Sequence, residues 1–300
     1  MSFAASGVNC AAATPLNADF TPDLGRFAAH CKWLLEQGCH GIALLGTTGE
    51  ANSFSVAERK SILEAALKAG IAPDQLRPGT GVAAGPDTIE LTRHALSAGV
   101  TKVVMLPPFY YKNVSDDGLF AAYARIIEGI GDNRLKIILY HIPPMSSTPL
   151  SRGLVRRLRE AFPQTVIGIK DSGGDLTNMV EMVKENPGLA VLSGADPLML
   201  PLLQSGGAGC ITAVSNFTAP QMRFIFDNWA DPAKAEEVEA AQASISAYRT
   251  LATTYMQLPT VKAIIALRSG EMSWNRLVPP LMPLTEAQFE DVRTKLAALS

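Results

Sequence analysis

The chemistry in this chain is most legible at a lysine that ends a strand-like run. Lys170 closes Val166-Ile167-Gly168-Ile169-Lys170. The two-residue alternation of a strand puts Val166, Gly168 and Lys170 on one face, with Ile167 and Ile169 on the other. If the first face lines the inside of a barrel, the ammonium loses hydration there, which favours the neutral amine, a nucleophile for carbonyl carbon. Gly168 beneath it leaves room for a substrate. The alternative for the same spacing is a lysine that reaches solvent from a strand end or pairs with Asp171. Tyr140 ends the run from Lys136 one strand earlier, where its phenol could reach an adduct at Lys170 and move protons; the competing reading is an aromatic that only packs at a barrel rim. Gly46-Thr47-Thr48-Gly49-Glu50 supplies two hydroxyls and several backbone N–H groups in one tight turn. Such a nest suits a small carboxylate, although Thr/Gly turns are also common connectors.

Positioning these groups takes repeated strand–helix units. Short apolar runs alternate with amphipathic stretches of about a dozen residues. Eight strands are expected, from Val8 to Ala11, Gly41 to Leu45, Arg77 to Gly81, Lys102 to Leu106, Lys136 to Tyr140, Val166 to Lys170, Leu189 to Ser193 and Ala208 to Ala213. Their spacing of about 20 to 35 residues is what a strand, a crossover helix and two loops occupy. Helix starts fall between them, at Thr21 before Pro22, at the capping box Ser55-Val56-Ala57-Glu58, at Gly85 before Pro86 and at Asp196 before Pro197. This periodicity predicts an α/β chain folded as a (β/α)8 TIM barrel. An open doubly wound sheet would carry a G-x-G-x-x-G turn after its first strand, where this chain has Ala12-Ala13-Thr14-Pro15-Leu16-Asn17. Beyond the eighth strand the chain is too long for one closing helix. The Ala- and Glu-rich segment from Pro232 to Leu251, Pro259 as punctuation, the periodic run Thr260 to Arg268 and the capping box Thr285-Glu286-Ala287-Gln288 predict an appendage of about three helices. The expected division is a barrel over 1–224 and a helical extension over 225–300, packed on the barrel flank or on a neighbouring subunit. In this architecture catalytic groups sit at the C-terminal ends of the strands, where Thr47, Tyr140 and Lys170 all fall.

Composition narrows the function classes. The chain has 300 residues, 47% hydrophobic and 18% charged, the range of a folded globular protein. Its net charge of −2 leaves no basic excess for nucleic acid or for an anionic membrane surface. No apolar run approaches the roughly 18 residues of a membrane span, and the start MSFAASGVNC lacks a charged segment followed by an apolar one. A cytoplasmic protein is expected. Cys10, Cys31, Cys39 and Cys210 are too few for a disulfide framework and read as buried thiols. His30-Cys31 and Cys39-His40 do not match a zinc spacing, and no metal site is expected.

Taken together, Gly46-Thr47-Thr48-Gly49-Glu50, Pro108-Phe109-Tyr110-Tyr111, Tyr140-His141-Ile142-Pro143, Gly168-Ile169-Lys170-Asp171, Ser193-Gly194-Ala195-Asp196 and Gly206-Gly207-Ala208-Gly209-Cys210-Ile211 resemble the dihydrodipicolinate synthase / N-acetylneuraminate lyase family. Their order and intervals match over nearly the whole chain, and Pro259-Thr260-Val261-Lys262-Ala263 resembles the family's C-terminal helical motif. The resemblance implies a class I lyase that works without metal or cofactor and forms an imine with pyruvate or another 2-oxo acid, commonly as a homotetramer or dimer of dimers. It implies that Lys170 is the imine-forming lysine and Tyr140 the acid/base phenol. Thr47 would relay protons between Tyr140 and a Tyr110 that reaches in from an adjacent subunit. Thr48 and the amides about Gly49 would hold the pyruvyl carboxylate, Ile211 would add a backbone contact, and His141, Met145 and Gly194 would lie about the rest of the substrate.

One departure bears on the substrate. The family's synthases carry an arginine two residues past the proline of the Tyr-x-x-Pro motif, for the carboxylate of aspartate semialdehyde; here that residue is Met145. A thioether forms no bidentate charge-assisted pair, and its loss should cost that substrate about 2–3 kcal/mol or more. The expected reaction is therefore retro-aldol cleavage or dehydration of a 2-keto-3-deoxy acid. Condensation of pyruvate with aspartate semialdehyde is the second reading, and a non-catalytic ligand-binding barrel the third.

Overall fold

The computed structural model describes residues 3–299. Seven parallel strands are regular: β1 (Gly7–Ala11), β2 (Gly41–Ala43), β3 (Lys102–Met105), β4 (Lys136–His141), β5 (Val166–Asp171), β6 (Ala190–Ser193) and β7 (Gly209–Thr212). Their order is β2-β1-β7-β6-β5-β4-β3. The crossovers between them run through α1 (Leu24–Glu36), α2 (Val56–Lys68), α3 (Gly85–Ser97), α4 (Asp116–Ile130), the single turn α5 (Pro143–Ser146), α6 (Arg152–Ala161), α7 (Leu176–Glu185) and α8 (Met199–Gln204). After β7 come α9 (Ser215–Asn228), α10 (Ala235–Ala252), α11 (Gln257–Ser269) and α12 (Glu286–Ala297).

The eighth expected strand, Arg77 to Gly81, is not a regular strand, yet it closes the barrel. The Arg77 and Gly79 amides donate to Ile42 and Leu44 carbonyls at 2.9 and 2.8 Å, while on the other side Thr80 N donates to Val104 O and Val104 N to Pro78 O at 3.1 and 3.0 Å. Pro78 has no N–H to extend the ladder, which reduces the pairing to isolated bridges. Gly79 and Gly81 make the close approach possible, because a Cβ would lie 2.1 Å from Leu45 O at the first and 2.3 Å from Leu106 N at the second.

Apolar side chains fall into two groups. A large cluster joins the strands' outer faces to the helices, and a smaller one, with Ala11, Ala43, Val104, Ile138, Leu192 and Ile211 among its members, fills the lumen. Strand β5 departs from simple alternation. Ile137 pairs with Val166 but Ile138 pairs with Gly168, so Ile167 is an extra residue. The bulge turns Val166 to the helix layer and Ile167 to the lumen, the reverse of the sequence expectation. Beyond it, Ile169 packs in the helix layer and Lys170 keeps the lumen face.

Helix signals are mostly where expected. Ser55 and Glu58 form the capping box of α2, and Thr285 and Gln288 that of α12. The cap of α1 is Asp23 and not Thr21, with the Asp23 side chain accepting from Arg26 N at 2.9 Å. Pro259 lies inside the first turn of α11, where a missing N–H costs no helical bond. The expected division at 224/225 falls within α9. Three helices follow it, and Val238, Ile245, Val261 and Val292 from them share one apolar cluster with the barrel helices. Polar ties reinforce this packing, including Arg249 Nη1 to the buried Asp196 carboxylate at 3.2 Å and Arg276 Nη1 to Leu16 O at 3.1 Å. No described helix is long and apolar enough to cross a membrane.

Candidate active site

Strands β4 and β5 place Tyr140 and Lys170 directly opposite each other in the ladder. Both are buried, at 3% and 5% exposure. Lys170 Nζ lies 4.1 Å from the centroid of the Tyr140 ring. Among the described residues it has no hydrogen-bond acceptor and no carboxylate partner. The alternative pairing with Asp171 does not occur, because Asp171 faces the other way and accepts from Gly173 N and Asn178 Nδ2 at 2.8 and 2.9 Å. Tyr140 Oη is 3.3 Å from Thr47 Oγ1. A buried amine, a phenol and a hydroxyl are thus consecutive in the lumen.

Thr47 belongs to a turn built to tight tolerances. Leu45 and Glu50 adopt left-handed backbone at φ 59° and 54°, which reverses the chain after β2. Gly49 passes beneath the loop that follows β1, since a Cβ there would be 2.8 Å from Ala12 O, and Thr14 Oγ1 donates to Gly49 O at 2.8 Å. Ala51 N and Glu50 N close the turn onto Gly46 O and Thr47 O. Among the described residues the amides of Gly46, Thr47, Thr48 and Gly49 donate to no protein acceptor, so an anion can take them.

Two features of this turn escaped the sequence reading. Glu50, 3% exposed, forms an ion pair with Lys262 of α11, 1% exposed, and its second oxygen accepts from Val278 N at 3.0 Å. Burial lowers the Lys262 pKa, and the Glu50 carboxylate opposes that shift. Both residues lie in quoted motifs, but 212 positions separate them, and nothing local signals the pairing. The second feature is Arg59, 3% exposed on α2, whose Nε donates to Ala51 O at 2.9 Å. Arg59 and the 4%-exposed Arg77 line the same cavity as Thr47, Tyr140 and Lys170. Burial lowers each guanidinium pKa to about 10, and neither forms an ion pair among the described residues.

The remaining expected residues divide. Ile211 is fully buried in β7 and in the lumen cluster. Gly194 crosses the end of β5 at close range: its N–H donates to Asp171 O at 2.7 Å, and a Cβ would lie 1.9 Å from Ser172 Oγ. His141 is not brought to the substrate side. Alternation beside Tyr140 sends it outward, where its Nδ1 accepts from Leu150 N at 3.0 Å and burial lowers its pKa against the raising influence of the Asp171 carboxylate. Met145 sits on α5 with 61% exposure and does not line the cavity. Tyr110 is 73% exposed and packs edge-on to Tyr111 at 5.4 Å, away from this chain's own Tyr140 and Thr47. Among the described residues no group of His, Cys, Asp and Glu side chains is arranged to hold a metal. His40 instead accepts from Val8 N at 3.0 Å.

The profile of the dihydrodipicolinate synthetase family matches residues 4–299. The chain belongs to this family. A DapA-like lyase of Chloroflexus aurantiacus is 33% identical over 96% of this chain and 94% of its own. The crystal structure of dihydrodipicolinate synthase from Agrobacterium tumefaciens superposes with a TM-score of 0.90 at 32% identity, over 98% of this chain and 99% of that one. A prophage protein of the dihydrodipicolinic acid synthase family from E. coli, solved in complex with pyruvate, gives a TM-score of 0.90 at 26% identity over 98% of both chains. The chain is accordingly an enzyme of the family's class I aldolase and lyase type, with the TIM barrel and C-terminal helices those structures share.

Proposed function

We propose that Lys170 forms a Schiff base with pyruvate or another 2-oxo acid and that the enzyme cleaves or dehydrates a 2-keto-3-deoxy acid without metal or cofactor. The observation that carries this reading is the contrast between the two buried lysines. Lys262 is neutralised by Glu50, whereas Lys170, also withdrawn from water, has no ion-pair partner among the described residues and lies over the Tyr140 ring. A buried lysine without a counter-ion is costly, and it is useful where the free amine must attack a carbonyl.

In the proposed sequence the Lys170 amine adds to C2 of the 2-oxo acid. The resulting carbinolamine loses its oxygen as water, with a proton from Tyr140 Oη that Thr47 relays. The amides of the Gly46-to-Gly49 turn and the Thr48 hydroxyl hold the carboxylate. Breaking the C3–C4 bond sends its electron pair into the protonated imine, leaving an enamine, while the C4 hydroxyl proton passes to the Tyr140 phenolate and a free aldehyde departs. Protonation at C3 and addition of water release the oxo acid and restore the amine. The imine is the electron sink, the role a metal plays in other aldolases. The pyruvate in the E. coli relative supports the pyruvyl half. Exposed Tyr110 supports a dimer or tetramer in which it completes a neighbour's relay, and four free, buried cysteines fit the cytoplasm.

Borohydride reduction in the presence of pyruvate tests the assignment. A reduced pyruvyl adduct on the tryptic peptide containing Lys170, with loss of activity, is expected; equal labelling of Lys170→Ala overturns it. Condensation of pyruvate with aspartate semialdehyde stays as the second reading, because the A. tumefaciens relative is a dihydrodipicolinate synthase. The first is favoured by the lack of an arginine at Met145, which lies outside the cavity lining and so bears only on the distal end of a substrate that extends beyond it. Pyruvate release from a panel of 2-keto-3-deoxy acids, beside condensation with aspartate semialdehyde, decides between them.

A further inference from the structure

A second cavity, of about 390 Å³, opens between α1, α9 and α11, and neither Lys170 nor Tyr140 lines it. His30 and Asn216 are its buried polar groups, at 8% and 1% exposure, with His30 Nε2 2.9 Å from Asn216 Oδ1. The Asn216 amide is fixed in orientation, since its Nδ2 donates to Ala11 O and Ala213 O at 2.9 and 2.7 Å and its Oδ1 accepts from Ala13 N at 3.1 Å. His30 Nε2 must therefore be the donor, which leaves a lone pair on Nδ1. Among the described residues Nδ1 has no partner. Burial lowers the His30 pKa to about 4, with the Asn216 bond opposing, so at neutral pH the ring is neutral and its Nδ1 is a hydrogen-bond acceptor.

The walls are aromatic. Trp33 stacks on His30 with centroids 5.9 Å apart and planes at 18°, and Trp274 meets it edge-on at 4.8 Å; Phe217 and Ile265 add apolar surface. The charged groups are unevenly paired. Arg26 is neutralised by Asp23 and Glu271 at 3.0 and 2.7 Å. Arg268 donates to Phe217 O at 2.8 Å and forms no ion pair among the described residues. Arg268 is thus the one guanidinium of the lining without a carboxylate partner among the described residues, beside aromatic walls and the free Nδ1 acceptor of His30.

We propose that this cavity binds a monoanionic aromatic carboxylate bearing a ring O–H or N–H: the ring lies between Trp33 and Trp274, the carboxylate meets Arg268, and the donor reaches His30 Nδ1. Aromatic walls with a few placed polar groups are the usual make-up of small-molecule sites, and a guanidinium is the matching partner for a carboxylate.

The probe is 4-hydroxybenzoate, titrated into the full-length protein by calorimetry and by tryptophan fluorescence, to which the cavity contributes two of the chain's three tryptophans. Saturable binding with a fluorescence change is expected. Benzoate, which lacks the donor, and 4-hydroxybenzamide, which lacks the charge, should each bind about tenfold more weakly or worse. Arg268→Gln should weaken 4-hydroxybenzoate to the level of the benzamide while leaving the benzamide itself unchanged, and Trp33→Ala should weaken both. Lys170→Ala should bind as the wild type does. No saturable binding at millimolar probe, equal affinity for the three compounds, or loss in Lys170→Ala with retention in Arg268→Gln overturns the proposal, the last by placing the compound in the catalytic cavity.

Discussion

Lys262→Met tests the tie between the turn that carries Thr47 and Thr48 and the helical extension. The variant leaves the Glu50 carboxylate fully buried, with Val278 N at 3.0 Å as its remaining partner. Removing one member of a buried pair typically costs about 3–5 kcal/mol, because the survivor is an uncompensated charge. Lys262 has a lowered pKa despite its partner, and replacing both members of a buried ion pair by neutral groups typically costs far less than stranding one charge. It follows that Glu50→Gln/Lys262→Met should cost much less than Lys262→Met alone. The same change should reach activity, since Glu50 ends the turn carrying Thr47 and Thr48, and a misplacement of about 1 Å at reacting groups costs on the order of a hundredfold. Urea unfolding midpoints at one fixed protein concentration, with kcat/KM for the same samples, measure both effects. A Lys262→Met protein within about 1 kcal/mol of wild type, or a double variant whose loss equals the sum of the single losses, refutes the reasoning.

Tyr140→Phe removes only a hydroxyl whose one hydrogen bond among the described residues is to Thr47 Oγ1 at 3.3 Å; the fold should stand while kcat falls by about 10²–10⁴, and a kcat within a few-fold of wild type removes Tyr140 from proton transfer. Below the ordinary histidine value the unfolded chain takes up a proton that buried His30 refuses until about pH 4. Stability should therefore fall as pH drops through that window, by up to about 3 kcal/mol for this residue; unfolding midpoints of wild type and His30→Gln at pH 7 and pH 4.5 should diverge, and parallel curves contradict the assignment. Met145 is largely exposed, so Met145→Arg should leave stability within about 0.5 kcal/mol and raise kcat/KM for an aldehyde bearing a carboxylate relative to a neutral one, as paired steady-state assays would show. Sedimentation at assay concentration should find at least a dimer, and a fully active monomer would exclude Tyr110 from its neighbour's site.

Local rules carried much of this protein. Strand periodicity located seven of the eight barrel staves as regular strands and the eighth as a segment, because an apolar run between turn signals reports burial directly. The capping boxes at Ser55 and Thr285 formed as read, since their partners are three residues apart. The placement of Lys170 and Tyr140 side by side in the lumen was legible because strand ends map onto one rim of the barrel. The Met145 substitution was legible too, but not that its side chain points to solvent, nor that alternation past Tyr140 turns His141 outward. The bulge at Ile167 was hidden because an extra residue in a strand changes pairing without changing composition. What the sequence determined by itself was the order of the elements and the residue types at their ends. Only the tertiary structure decided which charges are paired among the described residues: Glu50 with Lys262 across 212 positions, Lys170 with none, Arg59 and Arg77 in the cavity that holds Lys170, and His30 with one ring nitrogen free. Pairing depends on distance and burial, and both arise only when segments far apart in the chain are packed together.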